Sequence, residues 1–448
     1  VTRSGRSIVL RGVGLGGWMN MENFITGYPA TETLQRAAMR RTLGEDGYRR
    51  FFDRFLDVFF ADADAAFIAS LGLNSVRLAV NYRHFEDDRR PFELDEGGFR
   101  LLDRAIERCA RHGLYAIIDL HALPGAQNQR WHSDNPTHRA LFWTHRHFQD
   151  RVVHLWEAIA RRYRDNPWVA GYNPINEPGD ASGEVIGPFY RRLHDAVRAV
   201  DPDHILFLEG NRYSVDFDMF GDPWPNTVYS VHDYALPGLV DGGDYPGLSR
   251  GRFVDKDVIA ETFKMRTAYM RKTETPIWVG EFGPVYTGEL RRDAIRYQIL
   301  LDQLELYRQH DASWALWTYK DIGLQGLVYA SPDSPYLRRI QSVLDKKARL
   351  GVDAWGSTDA GVRHLLEPIE ETLRREFPGF DPFPFGVRSW IHGLVRHVLL
   401  AEAMVDDFAR CFEGVGSDEA ALLADSFRFE ACLKRERLLE ILRSATTP

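Results

Sequence analysis

The sequence predicts a (β/α)8 barrel, the TIM fold, with a helical C-terminal extension. Three observations predict it. Eight short apolar runs recur over residues 8–319. Amphipathic helical stretches lie between them, and polar side chains close most of the runs, where a barrel of this kind gathers its site. A doubly wound open sheet is the alternative, but it normally has fewer strands and often a Gly-rich phosphate turn.

The first run is IVLRGVGL (8–15). Gly12, Gly14 and Gly17 match the G-x-G-x-x-G spacing, yet WMNMENFITGYPATE follows and no helix opens there, so a dinucleotide site is not expected. The second run is LNSVRLAV (73–80). In the following FRLLDRAIERCARHG, Leu102, Ile106 and Cys109 share one helical face, which predicts a buried thiol. LYAIIDLH (114–121) is the third run. After it, RHFQDRVVHLWEAIARRYRDNP carries Val152, Leu155, Trp156 and Ile159 on one stripe and stops at Asn166-Pro167. The remaining runs are VAGYNPIN (169–176), HILFLEG (204–210), TVYSVHDY (227–234), PIWVGEF (276–282) and ASWALWTY (312–319). Most are too short for helices and are β-rich or bounded by Gly and Pro. The expected barrel spans residues 1–376. FPGFDPFPFG (377–386) is a break. Residues 387–448 read as helices only, with Trp390, Ile391, Leu394 and Val398 in helical register, and are expected to pack on the barrel.

Composition excludes other classes. Of 448 residues, 44% are hydrophobic and 27% charged, which rules out a disordered, collagen-like or disulfide-stapled chain. There are 56 basic and 64 acidic side chains, a formal charge of −8, so no nucleic-acid partner is expected. Three cysteines, Cys109, Cys411 and Cys432, show neither disulfide nor metal spacing. No apolar run approaches the roughly 18 residues of a membrane span. The opening VTRSGRSIVLRG lacks the regions of a secretory leader, which favours a cytoplasmic location; it also lacks Met, and secretion follows if a leader has been removed. No oligomeric state follows from the sequence.

The chemistry lies at the ends of the runs. Arg77 lies in the second, His121 ends the third, Asn176 and Glu177 end the fourth, His232 and Tyr234 the sixth, Glu281 the seventh, and Trp317 the eighth. Each alone has a structural explanation, but ionisable groups converging on otherwise apolar strands are costly unless used or paired. Glu177 and Glu281 are far apart in sequence yet fall roughly across one barrel mouth. Two carboxylates flanking a gap are what glycoside hydrolysis requires, one protonated and one ionised, about 5–5.5 Å apart for retention.

NPINEP and WVGEFG, with RLAVNYRHF, DLHALPG, VHDY and LWTY in this order, resemble glycoside hydrolase family 5, over roughly residues 8–320. RGVGLGGWMNMENFIT and DLHALPGAQN resemble the exo-β-1,3-glucanase branch, close to β-glucosidases. The resemblance implies a retaining hydrolase of a β-glucoside, β-glucan or related glycoside, with a carbohydrate substrate and no metal or other cofactor. It implies Glu177 as general acid/base and Glu281 as nucleophile. Asn176 would bind the 2-hydroxyl, Arg77 and Tyr234 would hold Glu281, His121 and His232 would line the −1 site, Trp317 would floor it, and Glu22 would reach the 3- or 4-hydroxyl. WHSDNPTHRALFWTHRHF (131–148) is an insert able to cap the pocket, and the tail from 387 has no matching counterpart. Three rivals are weighed. A metal-dependent hydrolase would need an HxH pair, and His145-Arg146-His147 lies at a helix start. A non-catalytic sugar-binding barrel would lack one of the acids. A transglycosylase would use the same carboxylate pair.

Overall fold

The computed structural model describes Gly5 and residues 7–446. Eight parallel strands close the barrel: β1 (Arg11–Met19), β2 (Ser75–Asn81), β3 (Tyr115–Ala122), β4 (Val169–Asn173), β5 (Ile205–Glu209), β6 (Thr227–His232), β7 (Ile277–Phe282) and β8 (Ser313–Leu316). They pair in chain order, and β8 returns to β1 through the register Arg11 with Trp314 and Val13 with Leu316. Every apolar run of the sequence forms a strand. The runs are buried almost throughout because helices cover the outside and side chains fill the inside.

The main helices are α1 (Glu32–Val58), α2 (Glu96–Arg111), α3 (Arg146–Tyr163), α4 (Ile186–Val200), α5 (Lys256–Arg266), α6 (Leu290–Gln309), α7 (Pro335–Leu350), α8 (Ser417–Ala424) and α9 (Glu436–Thr446). Leu102, Ile106 and Cys109 are buried on α2, and Val152, Leu155, Trp156 and Ile159 on α3. The strand–helix alternation fails once. Between β5 and β6 there is only a four-residue turn, Asn211–Ser214, and a short 3-10 turn, Asp218–Phe220. Aromatic side chains do the covering there: Phe217 and Phe220 lie against Tyr229 of β6, and Phe220 against Tyr190 of α4.

The tail departs from the expectation of helices only. A short strand, Cys432–Lys434, pairs antiparallel with Val328–Ala330. Nor does the stripe Trp390–Ile391–Leu394–Val398 hold: Ile391 is buried but Leu394 is exposed. The cause is a π-helical segment, Gly393–Leu400, directly after the helix Gly386–His392. A wider turn shifts the inward face, so Arg396 and His397 are buried instead. Farther on, α8 packs along α1. Phe412 meets Phe51, and Phe427 meets Phe55 and Tyr336. The buried Lys320 Nζ donates to Phe59 O and Phe427 O at 2.7 and 2.9 Å, tying the tail to the barrel. At the foot of the barrel Thr446 Oγ1 donates to Leu71 O at 2.7 Å.

Candidate active site

Arg77 is the centre of the mouth. It is fully buried on β2 and shares its protons among four strands. Nη1 donates to Glu281 Oε1 (2.7 Å), Nε to Asn173 Oδ1 (2.9 Å), and Nη2 to Asn176 Oδ1 (2.7 Å) and Glu209 Oε1 (3.1 Å). Asp119 Oδ2 lies 3.1 Å from Nη2. One cation buried among three carboxylates avoids the cost of an isolated charge because each of its three nitrogens donates to a buried partner.

Glu281 ends β7 and receives a second bond from Tyr234 Oη at 2.8 Å on Oε2. Burial alone would raise its pKa, but the positive charges of His232, Arg77 and His121 outweigh burial and hold it below the usual range. Glu177 goes the other way. Burial is the largest influence and raises its pKa; the His232 hydrogen bond opposes this, and the negative charges of Glu281 and Glu209 reinforce it. His232 sits between the two, Nδ1 at 2.8 Å from Glu177 Oε1 and 3.5 Å from Glu281 Oε2. Burial disfavours its charge, yet Glu209 and Glu281 hold its pKa well above the ordinary value. An oxygen of Glu177, an oxygen of Glu281 and a nitrogen of His232 lie within 4.8 Å of one another. The mouth thus holds one carboxyl favouring its proton beside one favouring ionisation. That is the chemical difference an acid and an attacking group need.

Glu177 is fixed by its backbone as much as by its side chain. Its φ is +45°, a region most side-chain-bearing residues avoid. Its N–H donates to Glu209 Oε2 at 2.8 Å, and its carbonyl accepts from Asn128 Nδ2 at 2.9 Å. Such strain persists only where neighbours over-determine it. Glu209 therefore holds three partners at once: the Glu177 amide, Arg77 and, at 3.3 Å, His232 Nε2. Burial would raise the pKa of Glu209, but His232 and Arg77 pull it down to about 2.

The remaining candidates assemble here as well. His121 Nδ1 lies 2.7 Å from Asp119 Oδ2, and Nε2 lies 3.2 Å from Asn176 Nδ2. Burial works against its charge, but Asp119, Glu22 and Glu281 together outweigh burial and raise the pKa to about 10. Trp317 lies parallel to the His121 ring, centroids 5.2 Å apart. Its other neighbours are the glycines of β1. A Cβ on Gly14 would fall 2.4 Å from the indole, and one on Gly16 2.5 Å. The glycine pattern of the first run thus seats an aromatic ring. Glu22 is buried, with Oε1 3.5 Å from His121 Nε2, and burial raises its pKa to about 7. The loop that carries it is anchored by Lys347 of α7, whose Nζ donates to Asn23 O, Gly27 O and Tyr28 O at 3.0, 3.3 and 2.8 Å.

Four participants were not predicted. Glu209 closes HILFLEG as Glu281 closes WVGEF, so the same strand-end rule finds it. Asp119 and Asn173 lie inside their runs, where a polar residue reads as an interruption. His132 belongs to the insert after β3, and its Nε2 lies 3.2 Å from Glu177 Oε2. That insert is itself covered by the tail. Arg130 Nη2 donates to Ser389 Oγ at 2.7 Å, and Trp131 and His138 pack edge-on against His397 and Trp390. Trp355, in the loop after α7, lies 5.1 Å from the Tyr234 ring. His145 and His147 are exposed at the start of α3, away from this cluster.

Comparison with known proteins gives concordant results. Residues 54–323 match the model of the family described as Cellulase (glycosyl hydrolase family 5). The chain is 45% identical over 464 residues to a beta-xylosidase of Phanerodontia chrysosporium, covering 99% of this chain and 95% of that protein. It is 28% identical over 238 residues to a probable glucan 1,3-beta-glucosidase A of Aspergillus fumigatus, covering 51% and 56%. Among solved structures, a glycoside hydrolase superposes with a TM-score of 0.54 at 20% identity, covering 70% of this chain and 90% of that one. The cellulose synthase subunit Z of Clostridioides difficile gives 0.54 at 17% identity, covering 75% and 99%. These two share the fold.

Proposed function

Because the chain belongs to glycosyl hydrolase family 5, a family of retaining β-glycoside hydrolases, we propose that Glu281 is its nucleophile and Glu177 its general acid/base. The observation that carries this is the pair itself: oxygens of the two carboxyls lie within 4.8 Å. That closeness supports the short spacing of a retaining pair, about 5–5.5 Å between carboxyl groups. The opposed pKa directions support the division of roles. Glu281 attacks the anomeric carbon while the Glu177 proton passes to the leaving oxygen. Water then gives its proton to Glu177 and displaces Glu281. Arg77 and Tyr234 keep Glu281 ionised and aimed. Asn176 binds the 2-hydroxyl, Glu22, His121 and His232 line the sugar, and Trp317 is its floor.

The two carboxyls are deeply set: the Glu177 and Glu281 side chains are 13% and 6% exposed, with His132 of the insert beside Glu177 and Trp355 against the Tyr234 ring. That supports exo action on one terminal sugar rather than cleavage within a polymer. The whole-length likeness to a beta-xylosidase makes a terminal β-xyloside the first substrate to test, with the β-glucoside beside it. The test is a panel of aryl β-glycosides with product anomers read by NMR. The expected result is release of the β-sugar. Glu281→Ala should abolish turnover and, with azide, give the α-glycosyl azide. Glu177→Ala should slow poor leaving groups by about 10²–10⁴ and give the β-azide. An α-sugar product, or the azides reversed, overturns the assignment.

A further inference from the structure

The two oxygens of Glu281 are held by different partners, and that orients a sugar seated on them. Oε1 accepts from Arg77 Nη1 at 2.7 Å, and the same guanidinium donates through Nη2 to Asn176 Oδ1 at 2.7 Å. Asn176 is read here as the binder of the 2-hydroxyl, so Oε1 lies toward C2. Oε2 accepts from Tyr234 Oη at 2.8 Å. C1 has two ring neighbours, C2 and the ring oxygen. With C2 on the Arg77 side, Tyr234 lies on the side of the ring oxygen and C5.

Against that side stands Trp355. Its ring centroid is 5.1 Å from that of Tyr234, tilted by 44°. Its other aromatic neighbour is Phe24, 6.2 Å away and edge-on at 65°. Phe24 lies two residues beyond Glu22, the carboxyl read as reaching the 3- or 4-hydroxyl. Trp355 thus links the ring-oxygen side of the site to the end that holds the far hydroxyls. Between those two points a pyranose presents C5. A hexose carries a hydroxymethyl group there, and a pentose only hydrogen. We propose that Trp355 is a specificity-determining residue: its indole takes the space of a C5 hydroxymethyl group and restricts the site to a terminal β-xyloside over the matching β-glucoside.

The loop that carries the indole is held from both sides. Asp353 Oδ1 accepts from the Trp355 N–H at 2.9 Å and from the Gly356 N–H at 3.1 Å. Asp353 Oδ2 lies 3.3 Å from Lys347 Nζ, the ammonium that also donates to Asn23 O, Gly27 O and Tyr28 O. One buried cation therefore ties the Trp355 loop to the Glu22 loop. The tail grips the other side: the buried Arg396 donates through Nε to Gly351 O and through Nη2 to Ser357 O at 3.2 Å. A ring on a loop so held does not swing aside freely, and an added group on the sugar meets it as a clash.

The inference rests on Glu281 as the nucleophile, which the α-azide from Glu281→Ala reports by itself. Its own test is a ratio. Iminosugars of xylo- and gluco-configuration occupy a sugar site without reacting, and the aryl β-xyloside and β-glucoside report kcat/KM. The wild type should favour the xylo member of each pair by at least about tenfold, the discrimination a methylene-sized group gives. Trp355→Ala should bring both ratios toward one, whatever it does to the absolute values. A purely structural loss would weaken the two members alike and leave the ratios standing. Should Trp355→Ala not fold, Trp355→Leu serves, since it shortens the wall and keeps an apolar side chain at a half-buried position. A wild type that binds both iminosugars alike, or ratios unmoved in a folded variant, overturns the role of Trp355 and leaves that of Glu281 standing.

Discussion

In the proposed site, Glu22 sets stability against binding. It is buried, and among the described residues its Oε1 has no hydrogen-bond partner. Desolvation holds its carboxyl at about 7 against an ordinary 4.5. Between those values the folded chain keeps a proton that the unfolded chain has released. This contribution to stability is therefore full below pH 4.5, falls as pH rises, and is gone above 7. Glu22→Gln removes the dependence. Thermal midpoints should coincide at pH 4 and favour the variant at pH 8, by at most about 3 kcal/mol, while kcat/KM falls because a sugar hydroxyl loses its acceptor. A variant no more stable at pH 8 would show that Glu22 is better solvated than its burial suggests. At this scale the sequence discloses residues that end runs and conceals those inside them. His121, Glu177 and Glu281 stand where apolar character stops; Arg77 sits inside its run, between Val76 and Leu78. Asp119 is flanked by Ile118 and Leu120, and nothing local says that it faces Arg77 across the barrel.

β1 and β8 show what a strand does beyond closing a ring. Gly14 and Gly16 lie flat against Trp317, so the indole stands on bare backbone. Gly14→Ala should force the indole away, costing about 1–3 kcal/mol as overpacking does. kcat/KM should drop at least about tenfold, with a lower melting temperature. Wild-type kinetics in a folded Gly14→Ala would show that the ring has room to yield. The eight strands were legible because each is a short buried run bounded by breakers. Two elements were not. The β5–β6 connection replaces its helix by Phe217 and Phe220, whose sequence shows no 3.6-residue period. The π segment at Gly393–Leu400 widens the turn, so a stripe counted at 3.6 residues per turn points to the wrong face.

In the whole molecule the tail meets the barrel through α1 and α7. Phe408, Phe412 and Phe427 are fully buried, and the last two lie on Phe51, Phe55 and Tyr336. At roughly 1.5–3 kcal/mol for each buried aromatic, their loss rivals the 5–15 kcal/mol net stability typical of a fold. We propose that residues 387–448 are an extension of the catalytic barrel and not a separable unit. A chain ended at 386 should then be insoluble or melt many degrees lower, and a soluble, fully active one would contradict this. The break at 377–386 was visible in its prolines and glycines. The partner of the tail was not, because amphipathic helices announce a buried face without saying what covers it.

The Trp317 ring also lies on the seam where the last strand meets the first. Thr318 Oγ1 donates to Gly14 O across a separation of 304 residues, so this platform exists only after the two ends of the barrel have joined. Contacts so distant along the chain form late in folding. During renaturation from denaturant, enzymatic turnover should therefore lag the recovery of far-ultraviolet helical signal and appear together with the near-ultraviolet signature of packed tryptophan. Turnover preceding that signature would mean that the ring need not be sealed for the chemistry to begin.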